Sequence, residues 1–339
     1  MNLAGGFHIV VKAVHLLHFA ATKNPRWLCK AALKAGTIRQ RLRMTSQLEL
    51  AVILTTYERP QHLERSLTSL SLQQDVAGKF EVIVADDGST DSTEQLVHAF
   101  ARRVDFPLRW ITHPHDGFRV ALCRNDGARA SMAPYLLFTD GDCLFPVDHL
   151  KKHLQARRRG VVRAGDCLRL GEEATDRIDA EAIETGAYRK WAFAADRRRL
   201  LRKRFKERYY ELVRHKFRPK LTGWNIGIAR QDFEAVNGFD ESFVGWGCED
   251  DDLAYRLRKA GRRIASALPY THGYHMWHPT APSCPARWSD GPNVERLQTM
   301  DRPVRCVVGL VNDAANLEDG AADAEVVSFR APRPSKCAV

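Results

Sequence analysis

The chain has 339 residues, ordinary apolar and charged fractions, and a formal net charge of +11. That length supports one large domain or two modest ones, and the charge implies attraction to something anionic: phosphate, an acidic membrane face or nucleic acid. The eight cysteines show no CxxC pairing and no short even spacing, which argues against a zinc module or a disulfide scaffold and suits a reducing cytosol.

Residues 1–48 carry no acidic side chain. Ala4–Ala21 is apolar but broken by Lys12, His8, His15 and His18. It is marginal against the ~20 residues a span needs, and it lacks the basic start and cleavage site of a signal peptide. From Lys23 to Arg43, bases interleave with Trp27, Leu28, Leu33 and Ile38. Two readings stay open: a helix lying on an anionic membrane, or a basic leader that touches nothing. At Glu49 the texture changes. LAVILTT (Leu50–Thr56) reads as a buried strand, followed by a helix with Leu63, Leu67 and Leu70 at helical spacing. FEVIVADDGSTDSTEQLVHAF repeats the plan, with a strand over Phe80–Ala85, a turn at Asp86–Gly88 and a helix opening near Asp91. Leu108–His113 is a third strand, Val120–Ser131 a helix, and Leu136–Phe138 a strand leading into Asp140. This alternation predicts an α/β fold, a Rossmann-like and mostly parallel sheet flanked by helices. The absence of GxGxxG and Walker A patterns argues against dinucleotide oxidoreduction and P-loop hydrolysis.

Asp140 and Asp142, separated by Gly141, stand at the carboxyl end of that strand. Mg²⁺ and Mn²⁺ prefer oxygen ligands and share them with nucleotide phosphates, and open α/β sheets bind ligands at this end. The plain alternative is a solvated turn. Gly171–Pro219 is less legible and closes in a basic helix carrying Phe205, Tyr209, Tyr210 and Phe217, read either as a flap contacting an anionic acceptor or the membrane, or as a solvated face. In Leu221–Gly261, Glu249–Asp252 crowd a helix start and Arg256, Arg258 and Lys259 its end, with Gly261 just beyond. Helix-dipole compensation accounts for the acids. It does not account for Gly245–Trp246–Gly247, which sets an indole beside carboxylates, a combination that grips sugars. His272, His275 and His278 follow; imidazole suits Mn²⁺ better than Mg²⁺, and His275 and His278 are spaced to face one cation. Past Asp290 periodicity lapses, and Asn312–Val339 reads as a partly disordered tail.

Taken in order, LTTYERP (Leu54–Pro60), ADDGST (Ala85–Thr90), GFRVALCRNDGA (Gly117–Ala128) and TDGD (Thr139–Asp142) resemble the inverting, metal-dependent nucleotide-sugar glycosyltransferases of family 2. TGWNIGI (Thr222–Ile228), GFD (Gly238–Asp240), GWGCEDDD (Gly245–Asp252) and HMWHP (His275–Pro279) are similar to the β-1,4-galactosyltransferase type. The resemblance implies a GT-A fold and a UDP-sugar donor. It places Thr55, Tyr57, Glu58 and Asp87 at the donor, with Asp87 accepting from uracil N3–H. Arg119 and Arg124 meet the diphosphate or order the site, and Asp140 contacts ribose or sugar. Mn²⁺ (or Mg²⁺) sits on Asp142 with His275 or His278, where the related enzymes carry a methionine–histidine pair. Trp246, Gly247 and Glu249 position the acceptor, and Asp250, beside Glu249, is the base. A free Asp titrates near ~3.9, and a helix N-terminus favours its charged form, so Asp250 is expected ionised at neutral pH.

The basic charge and the leader suggest as acceptor a glycan or lipid-linked glycan of the cell envelope, with the protein cytoplasmic, either free there or peripheral on the inner membrane face. The implied division is a leader over 1–48, a nucleotide-sugar half over 49–165, a flap over 166–220, an acceptor and catalytic half over 221–285 and an extension over 286–339. Two other classes compete. A nucleotidyltransferase would not need GWGCEDDD and would carry a Gly-rich basic loop. An RNA- or membrane-binding protein on a degenerate scaffold would use the basic stretches outside the sheet, and its binding would collapse with salt; nucleic acid is not the expected partner.

Overall fold

The computed structural model describes residues 48–280, 284–299, 302–311 and 325–328. The leader, apart from Leu48, and most of the C-terminal tail fall outside these residues. The first half builds β1 (Leu50–Thr56), α1 (Pro60–Ser71), β2 (Phe80–Asp86), α2 (Thr93–Ala101), β3 (Leu108–Thr112), α3 (Val120–Arg129) and β4 (Tyr135–Asp140). Then come β5 (Cys143–Leu144), α4 (His149–Ala156), β6 (Val161–Ala164), β7 (Cys167–Arg169), α5 (Glu172–Asp176), α6 (Ala180–Glu184) and α7 (Ala194–Leu212). The rest comprises β8 (Ile226–Ala229), α8 (Arg230–Ala235), α9 (Glu249–Lys259), β9 (Arg263–Ser266), β10 (Gly273–His275), α10 (Val294–Thr299) and β11 (Glu325–Ser328).

Eight strands form the main sheet in the order β11-β3-β2-β1-β4-β8-β6-β9. β3, β2, β1 and β4 run parallel, while β8 is antiparallel to β4 and to β6, and β11 is antiparallel to β3. The sheet is therefore mixed rather than parallel throughout, and a strand stands where the sequence lost its periodicity. Because successive residues of a strand face opposite sides, continuous apolar runs are buried on both. Leu50, Val52, Leu54, Val82 and Val84 pack with Leu63, Leu67 and Leu70 of α1 and Val97 and Phe100 of α2. Ala51, Ile53, Ile83, Leu136 and Phe138 pack with Ala121 of α3, Phe233 of α8, and Leu253 and Leu257 of α9.

Two features place the site. The chain winds outward from β1 through β2 to β3, then returns to put β4 on the other flank of β1. That reversal opens a crevice at the carboxyl ends of β1 and β4, where ligands bind in such sheets. Next, a small sheet β5-β10-β7 pairs Tyr274 with Leu144 and His275 with Cys143. This register carries the histidine segment to the acidic turn after β4, and Met276 N donates to Asp142 O at 2.9 Å. Gly141 suits this close approach: its N donates to Thr55 O at 2.8 Å, and a Cβ on it would crowd that same oxygen at 3.0 Å.

Candidate active site

The crevice is a cleft of about 760 Å³ lined from both halves, by Tyr57, Asp87, Asp140 and Asp142 on one side and Trp246, Glu249 and Asp250 on the other. At its floor, Asp142 is buried. His275 Nε2 lies 3.4 Å from Asp142 Oδ1 and His278 Nε2 lies 3.1 Å from Oδ2, with Arg59 Nη1 at 3.9 Å. Burial pushes the Asp142 carboxyl up, but His275, His278 and Arg59 outweigh it and hold it well below the usual carboxylate range. One ligand atom from each of Asp142, His275 and His278 falls within 4.8 Å of the others, spacing that suits a shared cation. His278 Nδ1 is 2.7 Å from Pro279 O. That contact keeps a proton on Nδ1, while Nε2 donates to the Asp142 carboxylate, which pushes His278 up; a cation bound here would take the place of the Nε2 proton. Both histidines stand within reach of Asp142. His272 packs on Tyr274, ring centroids 5.4 Å apart, outside this trio.

Asp140 is held in place rather than free. Its Oδ1 accepts from Thr55 Oγ1 at 3.0 Å and from Arg124 Nη2 at 3.3 Å, while Arg124 Nη1 reaches Glu249 Oε1 at 2.8 Å. Arg124 is buried, with carboxylates from β4 and α9 on either side. Its guanidinium thus ties β4 to α9 at the wall of the cleft. Removing one partner of a buried ion network typically costs about 3–5 kcal/mol. Arg124→Met is therefore expected to lower the thermal midpoint by roughly 6–20 °C, measured by calorimetry; a drop under ~2 °C would show that the network does not join the halves.

Asp87 is buried, with Oδ1 3.0 Å from His113 Nε2 and Oδ2 accepting from Arg119 N at 3.1 Å. Burial works to lower His113, but Asp126 and Asp87 outweigh it and push it up to about 9. Neighbouring Asp86 serves the turn, accepting from Ser89 N and Thr112 Oγ1, both at 2.9 Å. Arg119 stands beside the cleft rather than in its lining. Its guanidinium pairs with exposed Asp116 at 3.0 Å and does not line the cleft; its amide is what meets the site. Glu58 is exposed, has φ 46, and accepts from Thr90 Oγ1 at 3.0 Å, so it ties the loop after β1 to the loop after β2. Tyr57 stacks on His115 at 4.2 Å and 13°.

On the far side, Gly245, Gly247 and Cys248 all have positive φ (85, 88 and 74). This turn is pinned: Gly245 N donates to Phe118 O at 2.8 Å, and Asn293 Nδ2 donates to Gly247 O at 3.0 Å. It presents Trp246 to the cleft and starts α9. Of the four acids in that first turn, three have cations: Glu249 has Arg124, Asp251 has Lys220 at 3.0 Å, and Asp252 has Arg256 at 2.7 Å. Among the described residues, Asp250 has no basic side chain in ion-pairing distance. The expectation that it is an ordinary ionised Asp is overturned: burial first, then Glu249 and Asp251, push it up to about 8. The helix N-terminus favours its charge but does not offset these three.

Sequence reasoning missed Arg59, Lys220, Trp224 and Trp277, which also line the cleft. Arg59, Trp224 and Trp277 each fall inside a quoted motif, a signal that could have been used; Lys220 does not.

The Glycosyl transferase family 2 profile matches residues 51–225, and a second profile, the N-terminal domain of galactosyltransferase, matches residues 204–279. The chain belongs to glycosyltransferase family 2. Its sequence is 32% identical over 242 residues to a validoxylamine A glucosyltransferase of Streptomyces hygroscopicus, covering 69% of this chain and 55% of the relative. It is 24% identical over 250 residues to an Escherichia coli chondroitin synthase, covering 65% of this chain and 34% of that one. The chain thus spans about half, or less, of the length of these relatives. Among solved structures, a mannosyltransferase of Pyrobaculum calidifontis in complex with GDP-Man and Mn²⁺ is similar at TM-score 0.48 and 19% identity, over 69% of this chain and 58% of that one.

Proposed function

We propose that this protein is a metal-dependent, inverting transferase that moves a sugar from a UDP-sugar to a hydroxyl of a glycan acceptor. The observation that carries the reading is the pairing, within one cleft, of a three-residue cation site with a carboxylate, Asp250, that has no ion-pair partner among the described residues. Asp142, His275 and His278 would hold Mn²⁺ or Mg²⁺. The chemistry such a cation supplies when bound is neutralisation of charge on a leaving diphosphate.

The chain's own residues do the rest. Asp87, fixed by His113 and the Arg119 amide, keeps lone pairs for a base N–H. Arg59 is the cationic side chain beside the cation site that a phosphate oxygen would meet. Trp246 offers its face to an acceptor ring. Asp250 takes the proton of the acceptor hydroxyl as that oxygen bonds to C1, and the C1–O bond to the diphosphate breaks with its electron pair leaving on the diphosphate. Attack from the Asp250 side, opposite the leaving group, inverts C1. Water can stand in for the acceptor, so the test is proton NMR of UDP-α-sugars incubated with enzyme and Mn²⁺. The expected first product is the β-anomer of the free sugar; the α-anomer appearing first would rule out this arrangement.

A further inference from the structure

Helix α7 is built inside out. Its protein-facing side is polar: Lys203 Nζ and Arg199 Nη1 bond Asp166 at 2.5 and 3.2 Å, and Ser266 bonds Glu207 and Glu211 at 2.5 and 2.7 Å. Leu200 is its one buried aliphatic side chain. The solvent side is the apolar one. Leu201, Phe205, Tyr209 and Leu212 recur at helical spacing and form one stripe, with Phe205 66% and Leu212 82% exposed. Val213 and Phe217 extend it past the helix end, both also exposed. Folding gains nothing from this row, and contiguous exposed apolar surface of this kind marks a contact.

The row is flanked by Arg198, Arg202, Arg204, Lys206 and Arg208; from Arg197 to Lys220 there are twelve Arg or Lys against two Glu. Beside it, a cavity of about 310 Å³ is lined by Arg202, Lys203, Lys206, Glu207, Tyr210 and Arg218. Among the described residues, Arg202, Lys206 and Arg218 have no carboxylate in ion-pairing distance. An apolar stripe bordered by bases is what lets a helix lie in the interface of an anionic bilayer. A nucleic acid would use the aromatics but leave Leu201, Leu212 and Val213 in water, since bases stack on rings.

We propose that the outward face of α7 is the surface on which this protein lies on a bilayer containing anionic lipids, with Leu201, Phe205, Tyr209 and Leu212 at the headgroup–acyl boundary and the flanking bases on headgroup phosphates. The basic cavity takes one such phosphate. Among the described residues no helix is long and apolar enough to cross a membrane, so this contact is peripheral. It does not depend on the transfer chemistry, though the chain leaving α7 reaches the cleft wall at Lys220.

The test is flotation of the full chain with vesicles of phosphatidylcholine, alone and mixed with phosphatidylglycerol, at low and high salt. Wild-type protein should float with the mixed vesicles only, and less at high salt. The double variant Phe205→Ser, Leu212→Ser should partition on the order of tenfold more weakly with an unchanged thermal midpoint, because both side chains are exposed. Residues 1–47 are common to both proteins, so binding through them would leave the two alike. Equal partitioning overturns the proposal. So does wild-type protein that ignores both vesicles but binds a single-stranded RNA probe through the same side chains.

Discussion

Asp250→Asn should slow sugar transfer by about 10²–10⁴-fold, the usual worth of a positioned general base, while UDP-sugar affinity in the presence of Mn²⁺ stays within about twofold. The substitution is nearly isosteric and keeps an oxygen for the 2.7 Å contact with Asp251 N. What it removes is the one carboxylate of the α9 first turn that, among the described residues, has no cation in ion-pairing distance. The same isolation gives a pH signature. Only the carboxylate form accepts a proton, and burial with Glu249 and Asp251 pushes Asp250 up to about 8. Transfer measured as kcat/KM should therefore rise with pH through that region, and the residual activity of the Asn variant should lack this limb. An Asn variant with wild-type turnover would move the base elsewhere.

Asp142→Ala should abolish the metal dependence of donor binding. Its carboxylate lies between His275 and His278 and is the only anionic ligand of the trio. Even outer-shell partners of a metal are typically worth 10–100-fold in affinity, so losing this ligand should weaken Mn²⁺ by at least about a hundredfold. Nucleotide affinity in chelator should be the same in variant and wild type, because among the described residues the Asp142 carboxylate pairs with His275, His278 and Arg59 and not with Asp87 or Tyr57. Titration calorimetry reads both quantities, and an unaltered Mn²⁺ effect in the variant would take Asp142 out of the site.

The parts of this molecule that could be read from sequence are those where a local pattern reports a local fact. Apolar runs gave β1, β2 and β4 because those strands are buried on both faces, and the acids, bases and Gly261 bounded α9 because a helix dipole acts on its own ends. Motif order brought Asp87, Asp142, Trp246, Asp250 and the histidines into one cleft. Pairings across long separations carried no such signal. Nothing near Arg124 announces that it bridges Asp140 and Glu249, and nothing near Lys220 announces Asp251. Nor does the sequence announce that the Arg119 guanidinium pairs with Asp116 while its amide meets Asp87. The titration of Asp250 was misjudged for a related reason: helix position is visible in sequence, burial by distant segments is not. The antiparallel entries of β8 and β11 were likewise invisible, since strand direction depends on connections rather than on the strand's own residues.

The most direct measurement of the central claim is calorimetric titration of the wild-type protein with UDP-, GDP- and dTDP-sugars, each with Mn²⁺ and with chelator. Saturable binding of a UDP-sugar that requires the cation, and is weaker for the other bases, is the predicted result. Binding indifferent to Mn²⁺, or none by any nucleotide-sugar to folded protein, would contradict the assignment of the cleft.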